Sequence, residues 1–309
     1  MIRIHELTRT YGTQRAIDAI SFEAHPGQVL GFLGPNGAGK STTMKIIAGF
    51  LPPDAGTVTL DEYNILEHPL EIRRRVGYLP EHNPMYLDMY VHEFLDFTGQ
   101  IYGLETKHRK TRIGEVIGLT GLGREQHKKI GQLSKGYRQR VGLCQALIHD
   151  PEVLILDEPT TGLDPNQIVD IRTLIRQAGR EKTVIFSSHI LSEVEAVADR
   201  VIIINRGKII ADAPTDQIRT LAENETRIHL EVEQPGLDLS SLAQTAGYKG
   251  IEVLSPVSFT IRSAVSADLR RTVFELCAAQ QNPLLAMSRE TFSLEDAFRK
   301  LTQDAPENS

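Results

Sequence analysis

The chain is short of several things that would each have fixed its class. It has two cysteines, Cys144 and Cys277, and neither sits at metal-ligand spacing from another cysteine or a histidine. A disulfide framework is therefore excluded, and a reducing compartment is expected. Cys144 falls in an apolar-periodic stretch and reads as a small core residue. No run of about 18 apolar residues occurs, so no helix is expected to span a bilayer. The first residues, Met1 to Glu6, lack an apolar leader region. Repeats and low-complexity runs are absent. Net positive charge is absent too: the formal charge is −6, which disfavours a nucleic-acid partner. The basic triplet Arg73–Arg75 reads as a solvated helix face.

What remains is an ordinary globular composition, 40% hydrophobic and 24% charged, in 309 residues. That length suits one large domain or two modest ones. Residues 2–33 read as short strands. The apolar run Val29–Leu33 stops at a glycine, as a buried strand does. A helix is expected over Ser41–Ala48, closed by Gly49 and the pair Pro52 and Pro53. Residues 84–150 read as mostly helical, with Val91, Phe94, Leu95 and Thr98 on one face. Strands return at Val153–Leu156 and Val184–Phe186. A helix over Gln167–Gly179 between them makes a βαβ crossover. Ile190, Leu191, Val194, Val197 and Ala198 share a face of one further helix. Asn205, Arg206 and Gly207 mark a hairpin. Beyond Pro214 strands are expected over 228–233 and 251–262, and a helix over 267–280. The polar tail Gln303–Ser309 is expected to fray. The boundary falls at 218, giving a domain over 1–218 and a small accessory domain over 219–309.

The chemistry concentrates in two motifs. Gly34–Ser41 follows the pattern G-x-x-x-x-G-K-S between a strand and a helix. Glycines let successive N–H groups turn inward around phosphate oxygens. The helix that follows offers its positive end to the same anion. Lys40 is placed to reach the β- and γ-phosphates of a nucleotide, and Ser41 to hold Mg²⁺. The second motif is the apolar strand ending in Asp157 and Glu158. Such a pair is ordinarily a solvated strand end, but folds with a phosphate loop site their ligands at the carboxyl ends of strands. Asp157 then holds Mg²⁺ through water and Glu158 polarises the attacking water. His189, after another strand, is placed to donate to the γ-phosphate or orient that water.

In this order the motifs resemble those of the ATP-binding subunit of ABC transporters, over about residues 2–215. Gly34–Ser41 resembles the Walker A loop, Leu133–Tyr137 the family signature, Val153–Glu158 Walker B, Gly162–Asp164 the D-loop and His189 the switch histidine. The resemblance implies an α/β P-loop NTPase, the ABC cassette. It would have N-terminal antiparallel strands, a RecA-like parallel core, a helical subdomain at about 84–150 and a small C-terminal α+β domain. It implies ATP and Mg²⁺ as cofactors and hydrolysis of ATP coupled to transport. Tyr11 would stack on adenine. Gly34, Pro35, Asn36, Gly37, Ala38, Gly39, Lys40, Ser41 and Thr42 would cradle the phosphates. Ser41, Asp157 and Glu81 would serve the metal, and Glu158, His189 and Glu81 the chemistry. Two subunits would pair head to tail, as a homodimer, so that Ser134 and Gly136 of one close over the ATP of the other, with Asp164 beside them. A separate integral membrane permease is the implied partner, with this chain peripheral on the cytoplasmic face of the inner membrane.

The chain departs from the family pattern at three positions. Lys135 stands for the first signature glycine and Tyr137 for its glutamine. Glu81 stands where a glutamine normally touches metal and water; it offers an oxygen but cannot donate while ionised. With the extra C-terminal domain, these features resemble the subfamily that energises bacterial export-type (ABC-2) permeases. The run Tyr78–Pro84 is similar to ATPases associated with gliding motility. Two other readings compete with this one. A soluble ABC protein of repair or translation would carry a long coiled-coil insertion or a second cassette, and the sequence has neither. A non-hydrolysing regulatory cassette is opposed by Glu158 and His189, although Lys135 and Glu81 would suit it.

Overall fold

The computed structural model describes residues 1–218, 226–264 and 266–290. The chain divides into two compact units, Met1–Thr215 and Asp216–Ser309.

The first unit holds two sheets. In one, β1 (Ile2–Tyr11), β2 (Gln14–Ala24), β4 (Ala55–Leu60) and β5 (Tyr63–Asn64) pair antiparallel in the order β2-β1-β4-β5. The other contains β3 (Val29–Leu33), β6 (Val76–Leu79), β7 (Val153–Asp157), β8 (Thr183–Ser188), β9 (Arg200–Asn205) and β10 (Lys208–Pro214). Its order is β10-β9-β3-β8-β7-β6, and it is parallel except for the β9–β10 hairpin. Every residue of β3, β7 and β8 is buried. That explains why these strands read as continuous apolar runs and not as alternating ones. The core draws Ile4 and Leu7 from the first sheet, Met44 and Ile47 from α1 (Lys40–Ile47), and Leu30, Phe32, Ile155 and Ile185 from the second. The α2 helix (Pro69–Arg75) precedes β6. Arg73 and Arg74 are exposed, as a solvated face implies, while Arg73 also donates to the Gly49 carbonyl and Arg75 pairs with Glu152.

Three helices, α3 (Val91–Ile101), α4 (Thr106–Thr120) and α5 (Lys135–Leu147), form the helical segment expected between β6 and β7. Val91, Phe94, Leu95 and Thr98 are all buried, as their spacing predicts, and Cys144 is fully buried. The crossover helix α6 (Pro165–Gly179) links the parallel neighbours β7 and β8. The helix expected around residues 190–198 is shorter than its apolar pattern suggests. Only Leu191–Glu195 is helical (α7), and Ile190 is 41% exposed at its N-cap. Leu191, Val194, Val197 and Ala198 are buried, so burial follows the pattern where helix does not.

The second unit is a four-stranded antiparallel sheet in the order β12-β13-β11-β14. Its strands are β11 (Thr226–Val232), β12 (Tyr248–Ser255), β13 (Ser258–Ser263) and β14 (Leu284–Glu290). The α8 helix (Arg270–Ala279) covers it through Val273 and Cys277, against Ile228, Leu230 and Ile261. The single strand expected over 251–262 is instead a hairpin. Pro256 has no N–H to donate to a ladder, and the chain turns there. The strand β14 has no counterpart among the elements expected from the sequence, and the tail Gln303–Ser309 lies outside the described residues.

One joint of the first unit titrates. His149, between α5 and β7, stacks on Tyr102 at the end of α3, with ring centroids 3.8 Å apart and planes 3° apart. One ring nitrogen, Nε2, lies 3.3 Å from the Val76 carbonyl, while Nδ1 is buried without a partner. Burial pushes the ring pKa down to about 4, against a smaller opposing effect of the Val76 carbonyl. The unfolded chain takes up this proton near pH 6.5 and the folded chain does not until about pH 4. Stability from His149 is therefore present above that window and lost as pH falls through it, by about 3 kcal/mol in full. We expect His149→Phe, which keeps the ring, to make urea-unfolding free energy fall less steeply between neutral pH and about pH 4. An unchanged slope would refute the assignment.

Candidate active site

The site is built on strand ends. Parallel pairing sets Leu33 of β3 opposite Ser188 of β8, and Asp157 of β7 opposite Ser187. The loops leaving all three strands therefore emerge side by side at the carboxyl edge of the sheet, where such folds bind ligands.

From β3 the chain enters the glycine loop. Gly37 and Gly39 have φ of 79° and 110°, a region L-residues avoid. A Cβ at Gly39 would strike the carbonyl oxygen of Ala16, so only glycine lets the loop lie against β2. Gly39 is also the N-cap of α1, with no capping side chain and no acidic residue in the first turn. The positive helix end is thereby left open toward the cleft. Lys40 is 5% exposed. Its Nζ donates to the carbonyls of Gly34 (2.8 Å) and Pro35 (3.2 Å) and lies 3.4 Å from Oε1 of Glu158.

From β7 come the two carboxylates. Asp157 is 1% exposed and accepts hydrogen bonds on Oδ1 from Ser41 Oγ (3.0 Å) and Ser187 Oγ (2.7 Å). Burial raises its pKa; the two serine hydrogen bonds pull it back, and the charges of Glu81 and Glu158 add to the rise. Glu158 adopts φ of 51°, unusual for a residue with a side chain. Its N–H donates to Ser187 Oγ at 2.9 Å, which helps hold that backbone. Its Oε2 lies 2.7 Å from Nδ1 of His189 and accepts from Thr161 Oγ1 at 3.2 Å. A carboxylate held between an ammonium and an imidazole is fixed in direction, and Glu158 lines the cleft.

The cleft is about 490 Å³. Tyr11, Asn36, Gly37, Gly39, Lys40, Ser41, Thr42, Glu81, Glu158 and His189 line it, so most residues singled out in the sequence meet there. Tyr11 is 49% exposed, with the Arg9 guanidinium 5.3 Å from its ring centre. Gly34, Pro35 and Ala38 shape the loop without lining the cleft. Ser134, Gly136 and Asp164 also lie off it. Ser134 caps α5 by accepting from the Tyr137 N–H at 3.4 Å. Asp164 caps α6 by accepting from the Gln167 N–H at 2.9 Å, and Gly136 abuts the Gln167 side chain. Sequence reading missed Gln14, Ala16 and Thr161, which also line the cleft, and Ser187 beneath it. Only Ser187 left a signal, a polar pair closing an apolar strand.

A model of the ABC transporter family matches residues 17–161. The bacitracin transport ATP-binding protein BcrA of Bacillus licheniformis is 39% identical over 221 residues, 71% of this chain and 71% of that protein. The linearmycin resistance ATP-binding protein LnrL of Bacillus subtilis is 32% identical over 309 residues, 98% of each chain. The chain belongs to the ABC transporter ATP-binding family. Among solved structures, an ATP-binding subunit of an ABC transporter matches with a TM-score of 0.66 at 28% identity, over 72% of this chain and 92% of its own. As an ABC ATPase, the chain carries the cassette fold expected of it: antiparallel strands, parallel P-loop core and helical segment.

Within this ATPase, Ser187 is the hinge pin between the two carboxylates, and it is fully buried. Ser187→Ala leaves the Glu158 N–H without its acceptor and takes one donor from Asp157. A loss of about 1–3 kcal/mol in urea unfolding is expected, with slower ATP turnover. Unchanged stability would show that these bonds carry no weight.

Proposed function

We propose that the chain is the ATP-hydrolysing subunit of an export-type (ABC-2) transporter. It would act as a head-to-tail homodimer on a separate integral permease, at the cytoplasmic face of the inner membrane. The observation that carries the hydrolytic part is the Glu158 carboxylate, buried and oriented by Lys40 and His189 at the cleft wall. The roles named for two relatives, bacitracin transport and linearmycin resistance, support export. In line with a separate permease, no helix among the described residues is long and apolar enough to cross a membrane.

The glycine loop and the open end of α1 bind the triphosphate, and Lys40 turns from the loop carbonyls to the β- and γ-phosphates. Tyr11, at the rim, stacks on adenine. The donor set at Ser41 and Asp157 is hard oxygen, which fits Mg²⁺ held by few protein groups and completed by phosphate. Among the described residues no three acidic, histidine or cysteine side chains group as a metal cage, in keeping with a metal that needs its nucleotide. Bound there, Mg²⁺ would neutralise charge on the phosphates. Glu81 borders the same cleft, close enough for its charge to act on Asp157. Glu158 accepts the proton of the attacking water, and His189 orients water and γ-phosphate. Catalysis is positioning and electrostatics.

Ser134 is exposed at the start of α5 and, with Gly136, closes over the partner's ATP beside Asp164. A groove of about 470 Å³, lined by Glu81–Met85, Leu87 and the start of α5, adjoins exposed Tyr86 and Tyr90. It shares Glu81 with the nucleotide cleft, so a permease segment seated there senses the site. The cassette is residues 1–218, and 219–309 are accessory.

Glu158→Gln keeps the shape and loses the base. With ATP and Mg²⁺ it should elute as a stable dimer while phosphate release falls on the order of 10²–10⁴-fold. Hydrolysis at the wild-type rate would remove Glu158 from the mechanism.

A further inference from the structure

A buried carboxylate near the site has no part in the chemistry above. Glu193 lies on α7, and its neighbours Leu191 and Val194 pack into the core. A glutamate on so short a helix would ordinarily turn to solvent, yet Glu193 is 5% exposed. Among the described residues no lysine, arginine or histidine pairs with it. Its partners are hydroxyls: Oε2 accepts from Thr160 Oγ1 at 2.5 Å and from Ser188 Oγ at 3.0 Å. Ser188 Oγ in turn accepts from the Ile190 N–H at 3.0 Å. A buried ionised group is costly unless its hydrogen bonds are good, and a short bond to a carboxylate is a strong one.

The two hydroxyls stand on different loops. Thr160 is two residues past Glu158, on the loop leaving β7. Ser188 is the residue before His189, at the end of β8. Glu158 and His189 themselves meet at 2.7 Å. The two contacts close a ring that runs from Glu158 to His189, back to Ser188, through Glu193 to Thr160, and along the chain to Glu158. A carboxylate suits the closing position because it only accepts. Thr160 donates to it, and so does Ser188, whose alternative acceptor, the Ile190 carbonyl, is farther away at 3.4 Å, so one oxygen ties both loops.

We propose that Glu193 is a positioning residue for ATP hydrolysis, setting the distance and angle between Glu158 and His189 by tying Thr160 to Ser188. The proposal rests on the reading in which Glu158 and His189 act on the attacking water. It concerns turnover and not nucleotide affinity, because Glu193 borders neither the glycine loop nor the cleft.

The test uses the full chain with Glu193→Ala, Glu193→Gln, Thr160→Val and the double variant Glu193→Ala/Thr160→Val. Steady-state ATPase gives kcat and KM, binding of a fluorescent ATP analogue gives affinity, and thermal melting reports folding. For Glu193→Ala we expect kcat to fall on the order of 10- to 100-fold, with KM and analogue affinity unchanged. Glu193→Gln should retain an intermediate kcat: its amide oxygen, in the place of Oε2, still accepts from Thr160 and Ser188 but without the full charge that strengthens both bonds. The double variant should be no slower than Glu193→Ala, since both act through one ring. Wild-type kcat in Glu193→Ala overturns the proposal. So does loss of affinity in step with melting temperature while the folded fraction keeps full kcat. If Glu193→Ala does not fold, Glu193→Gln and Thr160→Val decide by the same split of kcat against KM. Glu158→Gln run alongside separates the two ideas. Wild-type hydrolysis there defeats the reading of the base itself. Loss there, with Glu193 variants unaffected, defeats only this inference.

Discussion

The register of three parallel strands is the constraint on which the rest depends. Hydrogen bonding puts Leu33 beside Ser188 and Ser187 beside Asp157, and both strand faces are buried, so neither pairing can slip without moving apolar side chains out of the core. Lys40, Glu158 and His189 all lie close in sequence to those ends. Lys40 follows β3 by a glycine loop, Glu158 follows β7 directly, and His189 follows β8 directly. Three residues far apart in sequence therefore meet within hydrogen-bonding or ion-pair distance without any long connection having to be ordered for it.

Such a site carries a burden of charge. Lys40, Asp157 and Glu158 are each less than a tenth exposed. Their balance is uneven, with one ammonium against two carboxylates, and Glu81 adds a third negative group at the cleft. Burial disfavours ionised Asp157, and two serine hydroxyls only partly offset it. The positive φ of Glu158 adds backbone strain. A local excess of buried negative charge, which the helix end offsets only in part, is poor design for stability alone. It suits a place where a divalent cation and a polyanion arrive together, which is the reading proposed for it. The rigid sheet below supplies what the site gives up.

How much of this was legible in the sequence follows from how local each signal is. The glycine loop was legible because its spacing, its preceding strand and its following helix all lie within about twenty residues. The strand ends were legible because a strand buried on both faces leaves an unbroken apolar run. Where a signal depended on distant partners, it failed. Ser187 and Glu193 are ordinary residues until β7 and β8 lie side by side. The run 251–262 reads as one strand because apolar residues recur at short intervals on both sides of Pro256. The turn needed Pro256 to be weighed against it, and β14 has a pattern that reads equally as loop. Helix α7 was overextended because Val197 and Ala198 are buried without being helical.

The departures from the usual signature also become intelligible through packing. Lys135 replaces a glycine, so its side chain needs a place to lie. That place is along Gly162, where an added Cβ would collide with the Lys135 ammonium. Gly162 has φ of 74°, so the turn that needs glycine for its backbone also supplies the space. Two further contacts join the same parts: Gly136 against the Gln167 side chain, and Gln139 Nε2 donating to the Pro159 carbonyl at 3.2 Å. The start of α5 is thus braced against the segment that runs from Glu158 into α6. Fit to Gly162 therefore constrains the residue at 135 from within its own chain.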